Sequence, residues 1–79
     1  MNGKSDFEKY LTKVRRCPEA IVLVRCGDNK LVTFRDDAVL VGQRLDLPVP
    51  RIDTHRTVHL RAGDLARLVE IGKEPLAFA

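Results

Sequence analysis

The chain has little of what covalent and redox chemistry needs. It contains no tryptophan, two cysteines and a single serine among 79 residues. Cys17 and Cys26 form neither a C-x-x-C motif nor a disulfide framework, which fits a reduced, intracellular setting. Ser5, the only serine, stands where it caps a helix, so a Ser-His-Asp site is not expected. There is no G-x-G-x-x-G and no G-x-x-x-x-G-K-[ST], which excludes nucleotide hydrolysis by this chain alone. No apolar run nears the roughly 20 residues of a membrane span. The leading MNGKSDFEKYL is polar and amphipathic, without the hydrophobic block of a signal peptide. Repeats, linkers and low-complexity tracts are also missing. A cytoplasmic chain is expected, with residues 1–79 forming one domain near the small end of what folds without staples.

What is present is ordinary for a globular chain: 44% hydrophobic and 32% charged residues, enough to argue against disorder. The net charge of +3 is unevenly placed. One basic patch is Lys4, Lys9, Lys13, Arg15 and Arg16; the other is Arg51, Arg56 and Arg61, with His55 and His59 among them. Two such patches on a near-neutral body permit polyanion binding without requiring it. The first also has a structural reading, since cations in a last helical turn favour the carbonyl end of the dipole.

In chain order, Ser5-Asp6-Phe7-Glu8 is a capping box. Phe7, Tyr10, Leu11 and Val14 then fall on one helical face, and Pro18 ends that helix. Residues 20–24, AIVLV, show no alternation and read as a central strand covered on both faces. Gly27-Asp28-Asn29-Lys30 supplies residues that tolerate positive φ and predicts a turn. Residues 31–35 alternate, which predicts a second strand with one wetter face. Asp36 or Asp37 is expected to N-cap the next helix, whose buried stripe is Ala38, Val41 and Leu45. Gly42 inside it implies a close approach to the sheet. Leu47-Pro48-Val49-Pro50 stops the helix and allows only an edge strand or extended segment. Residues 52–60 are weakly β-like. A last helix over 62–71 turns Leu65, Leu68, Val69 and Ala66 inward, with Gly72 just past its end. Residues 75–79 are a short apolar end able to add a strand. The expected order is α-β-β-α-β-β-α-β: a single small α+β domain with a mixed β-sheet flanked by helices.

Candidate chemistry is sparse. Cys17 lies past a helix C-terminus, where the dipole opposes a thiolate, and Cys26 reads as a small buried filler. His55 and His59 are four apart, but a third strong ligand at useful spacing is missing, so they read as surface histidines. Asp36-Asp37 precedes an apolar-periodic helix and reads as a cap rather than a catalytic pair. No catalytic residue, cofactor or metal ion is expected, and the chain does not read as an enzyme.

Certain residues in order carry a family likeness. Pro18-Glu19-Ala20 through Arg25-Cys26-Gly27-Asp28, then Phe34-Arg35-Asp36-Asp37-Ala38, resembles the N-terminal mismatch-recognition domain of MutS-type DNA mismatch-repair proteins. The likeness continues through Gln43 and Leu45-Asp46-Leu47. It resumes at His59, Leu65-Ala66-Arg67-Leu68-Val69 and Gly72, so that it spans about residues 7–78. It implies a mixed sheet flanked by helices and a DNA-repair association. In that family the residues after Gly-Asp hold a phenylalanine that wedges beside a mispaired base and a glutamate that hydrogen-bonds it. Here Asn29 stands at the phenylalanine position, Lys30 at the intervening tyrosine and Leu31 at the glutamate. One extra residue separates Gly27-Asp28 from Asp36-Asp37-Ala38, and the family's G-x-P before the histidine is replaced by His55 and Thr57. The probe chemistry is therefore absent. The family continues into connector, lever, clamp and ATPase domains, so no ATP-driven clamp is expected of this chain by itself.

Two roles follow as expectations. In the first, a stand-alone module binds DNA weakly and without mismatch preference, using Asn29 and Lys30 at the hairpin tip with Arg51 and Arg56, in a salt-dependent way. In the second, a protein-interaction or regulatory domain has kept the scaffold and does not bind DNA. It would associate with repair or replication proteins, or with itself through the edge over 49–54. No membrane partner is expected. The initial methionine favours a natural short protein over an excised domain.

Overall fold

A continuous apolar run cannot sit at an edge, and β1 (Ile21–Gly27) lies inside a five-stranded sheet. A computed structural model describes residues 5–79; the first four, including Lys4 of the first basic patch, lie outside them. The other elements are α1 (Asp6–Arg16), β2 (Lys30–Phe34), α2 (Arg35–Leu45), β3 (Arg51–Ile52), β4 (His55–Arg61), α3 (Ala62–Ile71) and β5 (Leu76–Phe78). The expected element order is the observed one. The sheet runs β3-β4-β2-β1-β5. β1–β2, β2–β4 and β4–β3 are antiparallel and β1–β5 is parallel, so the sheet is mixed.

Alternation along β1 serves two cores. Ile21 and Leu23 join Leu31, Val58 and Leu60 beneath α2 and α3, meeting Ala38, Val41, Leu45 and Leu68. Val22 and Val24 join Val32 and Phe34 beneath α1, meeting Tyr10, with Phe7, Leu11 and Val14 packed alongside. The radius of gyration, 11.7 Å, is that of a fully compact chain of this length, for which about 12 Å is expected. The capping box is formed: the Glu8 amide donates to Ser5 Oγ at 3.2 Å and the Ser5 amide to Glu8 Oε1 at 3.1 Å.

Several expectations are corrected. β2 has no wetter face, because Leu31, Val32, Thr33 and Phe34 are all buried; helices cover both sides of this central strand. Neither Asp36 nor Asp37 caps α2. The N-cap position is Phe34, without a side-chain cap, and both aspartates lie in the first turn. Asp37 instead reaches back across the fold, accepting from the Tyr10 hydroxyl at 2.9 Å and the Val22 amide at 3.1 Å. Gly42 accommodates the segment after its own helix rather than the sheet. A Cβ there would collide with Val49 Cγ2 and lie 3.1 Å from the Leu47 carbonyl. The Leu47-Pro48-Val49-Pro50 stretch, by contrast, takes the second of the two forms expected for it, a segment outside any strand, and β3 begins only at Arg51. The strand expected over 52–60 is broken by a turn at Asp53 and Thr54, with φ of 50° and 67°, a left-handed pair that suits a two-residue hairpin. α3 turns only Leu68 and part of Leu65 inward, while Val69 is 59% exposed and Ala66 is exposed. Gly72, at φ 62°, closes that helix in the left-handed conformation glycine adopts without strain.

Candidate functional site

The β1–β2 hairpin places its polar tip at one end of the sheet. Its turn uses the left-handed conformation at Asn29, φ 56°, which asparagine tolerates because its short amide bonds locally. A register shift between Arg25 and Gly27 interrupts the ladder, and such irregularities re-aim the side chains around them. Lys30 is then directly opposite Gly27 on one side and Arg61 on the other, and Arg25 is opposite Leu31. Arg25, Lys30 and Arg61 are all exposed. Among the described residues, the ion pair present joins Arg44 and Glu74 and involves none of these three. Like charges directly across a ladder are destabilising, so the Lys30–Arg61 pair concentrates positive potential that an anion would relieve.

Beside this cationic end lies a cleft of about 440 Å³ between the hairpin, the start of α3 and the end of β5. Leu31, Ala62, Leu65 and Phe78 give it apolar walls, and Arg25, Asn29 and Lys30 give it a polar side. None of its lining residues is acidic. The Ala79 amide donates to the Leu23 carbonyl at 2.9 Å, which extends the β5 contact and holds the far wall.

The four residues expected to contact DNA do not form one patch. Asn29 and Lys30 adjoin at the tip. Arg51 and Arg56 are cross-strand partners in the β3–β4 hairpin, at the other end of β4. Arg56 is five positions along β4 from Arg61, the partner of Lys30, which is about 17 Å of extended chain. Arg56 lies instead near Arg35, Asp36 and His55 along a separate shallow surface. Arg25 was not among the expected contacts, although a charged residue ending an apolar run is a signal of a strand emerging into solvent. Arg61 joins the site only through strand pairing.

The histidines are unlike one another. His59 is exposed, but His55 is not a free surface residue: its ring stacks on Phe7 with centroids 3.8 Å apart and planes 15° from parallel. Phe7 also meets Phe34 edge-on at 5.3 Å and lies 4.9 Å beneath the Arg35 guanidinium, so the group pins α1 to β4 and α2. Among the described residues, no group of three or more His, Cys, Asp and Glu is placed to hold a metal ion. Burial pushes the Cys26 thiol above its ordinary range, with Asp6 adding to the rise; that disfavours the reactive thiolate. No helix among the described residues is long and apolar enough to cross a membrane.

Comparison with known proteins adds no relative: no protein-family model and no curated protein matches this chain.

Proposed function

We propose that this chain is a small nucleic-acid-binding module that grips phosphates at the hairpin end of its sheet, without catalysis, cofactor or ATP. The observation that carries the reading is the Lys30–Arg61 cross-strand pair, with Arg25 lining the same cleft as Lys30, three exposed cations free of ion pairs among the described residues. The likeness of residues 7–78 to the mismatch-recognition domain of MutS-type proteins supports DNA as the polymer and repair as the setting. Asn29 cannot wedge between bases, and Leu31 is a buried apolar residue that offers no acceptor, so matched and mismatched duplexes are expected to bind alike. A second reading is protein docking, favoured by Val69, Ile71 and Phe78, which are 59%, 38% and 51% exposed.

Fluorescence anisotropy with labelled matched and mismatched duplexes tests the first reading. Binding should weaken with salt along a log–log slope of about −2 to −3, as three phosphate contacts require. Arg61→Ala should make that slope shallower by about one. Absence of binding at low salt would sink the proposal and leave protein docking.

A further inference from the structure

We infer that the cleft beside the hairpin tip receives one unstacked nucleotide, so that the preferred ligand is single-stranded nucleic acid rather than duplex. This deepens, and rests on, the nucleic-acid reading above. The volume of about 440 Å³ lies within the range of about 300–1,000 Å³ found for small-ligand clefts. That is more room than phosphate contacts on a flat surface would call for. Its walls match the parts of a nucleotide in turn. Leu31 and Leu65 give it apolar lining, and Phe78, half exposed at the end of β5, lines it with an aromatic ring of the kind on which any base stacks. The Asn29 carboxamide, carrying both donor and acceptor, lines the same cleft and is suited to a base edge. Arg25 and Lys30 stand where the phosphates of an entering strand would pass, with no acidic lining residue to oppose them.

The start of α3 adds nothing to the anion side. The Asp64 carboxylate already accepts from the Arg61 amide at 3.1 Å there, so the phosphates fall to the two side chains. The trough on the opposite sheet face differs in the decisive respect: Asp6 and Asp53 line it alongside His55 and His59, and their carboxylates repel a phosphate chain. A duplex keeps its bases stacked and cannot fill the hairpin-side cleft without extruding one, which costs a few kcal/mol.

The test compares a fluorescein-labelled oligothymidylate of about ten nucleotides, a length within reach of small single-strand sites, with a hairpin duplex of equal length. The oligothymidylate should bind more tightly. Phe78→Ala should weaken it about tenfold, the scale of one lost base stack, with the salt slope unchanged and duplex affinity unaltered. If circular dichroism shows that Phe78→Ala unfolds the chain, Phe78→Leu keeps an apolar wall without the ring and should show the same selective loss. Amide shifts on titration with thymidine 5′-monophosphate should centre on Leu31, Leu65 and Phe78. Equal affinity for the two polymers, an equal loss of both in a folded Phe78 variant, or shifts confined to Arg25, Lys30 and Arg61 would overturn the inference while leaving phosphate binding standing. Failure of both polymers to bind at low salt would overturn the nucleic-acid reading itself, and this inference with it.

Discussion

Replacing Asp37 with alanine removes one carboxylate that ties three elements together. Its Oδ2 accepts from the Tyr10 hydroxyl on α1 and from the Val22 amide on β1, while the residue itself belongs to α2. Val22 is fully buried, so its N–H gains no water when the acceptor goes, and an orphaned buried donor costs about 1–3 kcal/mol. The Tyr10 bond to a charged acceptor adds about 1.5 kcal/mol, at the lower end for such bonds because the pair is only part-buried. A total near 3 kcal/mol is a large share of the roughly 5–15 kcal/mol that holds a domain folded. Urea denaturation followed by circular dichroism should show the midpoint falling by about 1–3 M with the slope unchanged. Were Asp37 a helix cap instead, the loss would be about 1 kcal/mol and indifferent to Tyr10. A double-mutant cycle with Tyr10→Phe separates the two accounts, since a direct bond predicts coupling of about 1 kcal/mol or more. A loss below about 0.5 kcal/mol, or additivity of the two substitutions, would refute the bridging role.

Three other expectations follow from individual side chains. The Tyr10 phenol titrates well above its ordinary value of 10.0, chiefly through burial, then through its hydrogen bond to Asp37 and that residue's charge. Above pH 10 the unfolded chain releases this proton while the folded chain keeps it, so stability falls as pH rises, by up to about 1.4 kcal/mol per pH unit. Urea midpoints from pH 8 to 11 should show that decline, and Tyr10→Phe should remove its contribution. Thr33 is fully buried with Oγ1 unpartnered, so Thr33→Val should leave thermal stability unchanged or raise it by up to about 1 kcal/mol; a clear loss would mean that the hydroxyl has a partner. Gly42→Ala gains about 1 kcal/mol of helix propensity, yet its methyl meets Val49 and the Leu47 carbonyl. Overpacking of that kind costs about 1–3 kcal/mol, and calorimetry should show a lower melting temperature.

Much of the architecture was legible because it is written in local terms. The unbroken run before Arg25 identified a strand with helices on both faces, Ser5 and Glu8 marked the start of α1, and Gly72 marked the end of α3. The β3–β4 hairpin was not legible: Asp53-Thr54 lacks the glycine that usually signals a two-residue turn, and only strand pairing brings out its left-handed backbone. Val69 was misplaced because α3 meets the core along a strip too narrow for the full apolar stripe. The candidate site divides in the same way. Asn29 and Lys30 announce a polar tip through turn chemistry alone. Whether they stand with Arg51 and Arg56 or with Arg25 and Arg61 depends on the register of β4.

The sequence by itself determined the order of elements and the central strand, since composition, periodicity and capping act over a few neighbouring residues. Tertiary structure alone decided that Asp37 bridges Tyr10 and Val22 instead of capping its helix. It also decided that Lys30 faces Arg61, and that a cleft opens between a hairpin, a helix start and the last strand. Each of these depends on contacts between residues far apart in the chain, whose pairing follows from how the sheet closes and which face each helix covers.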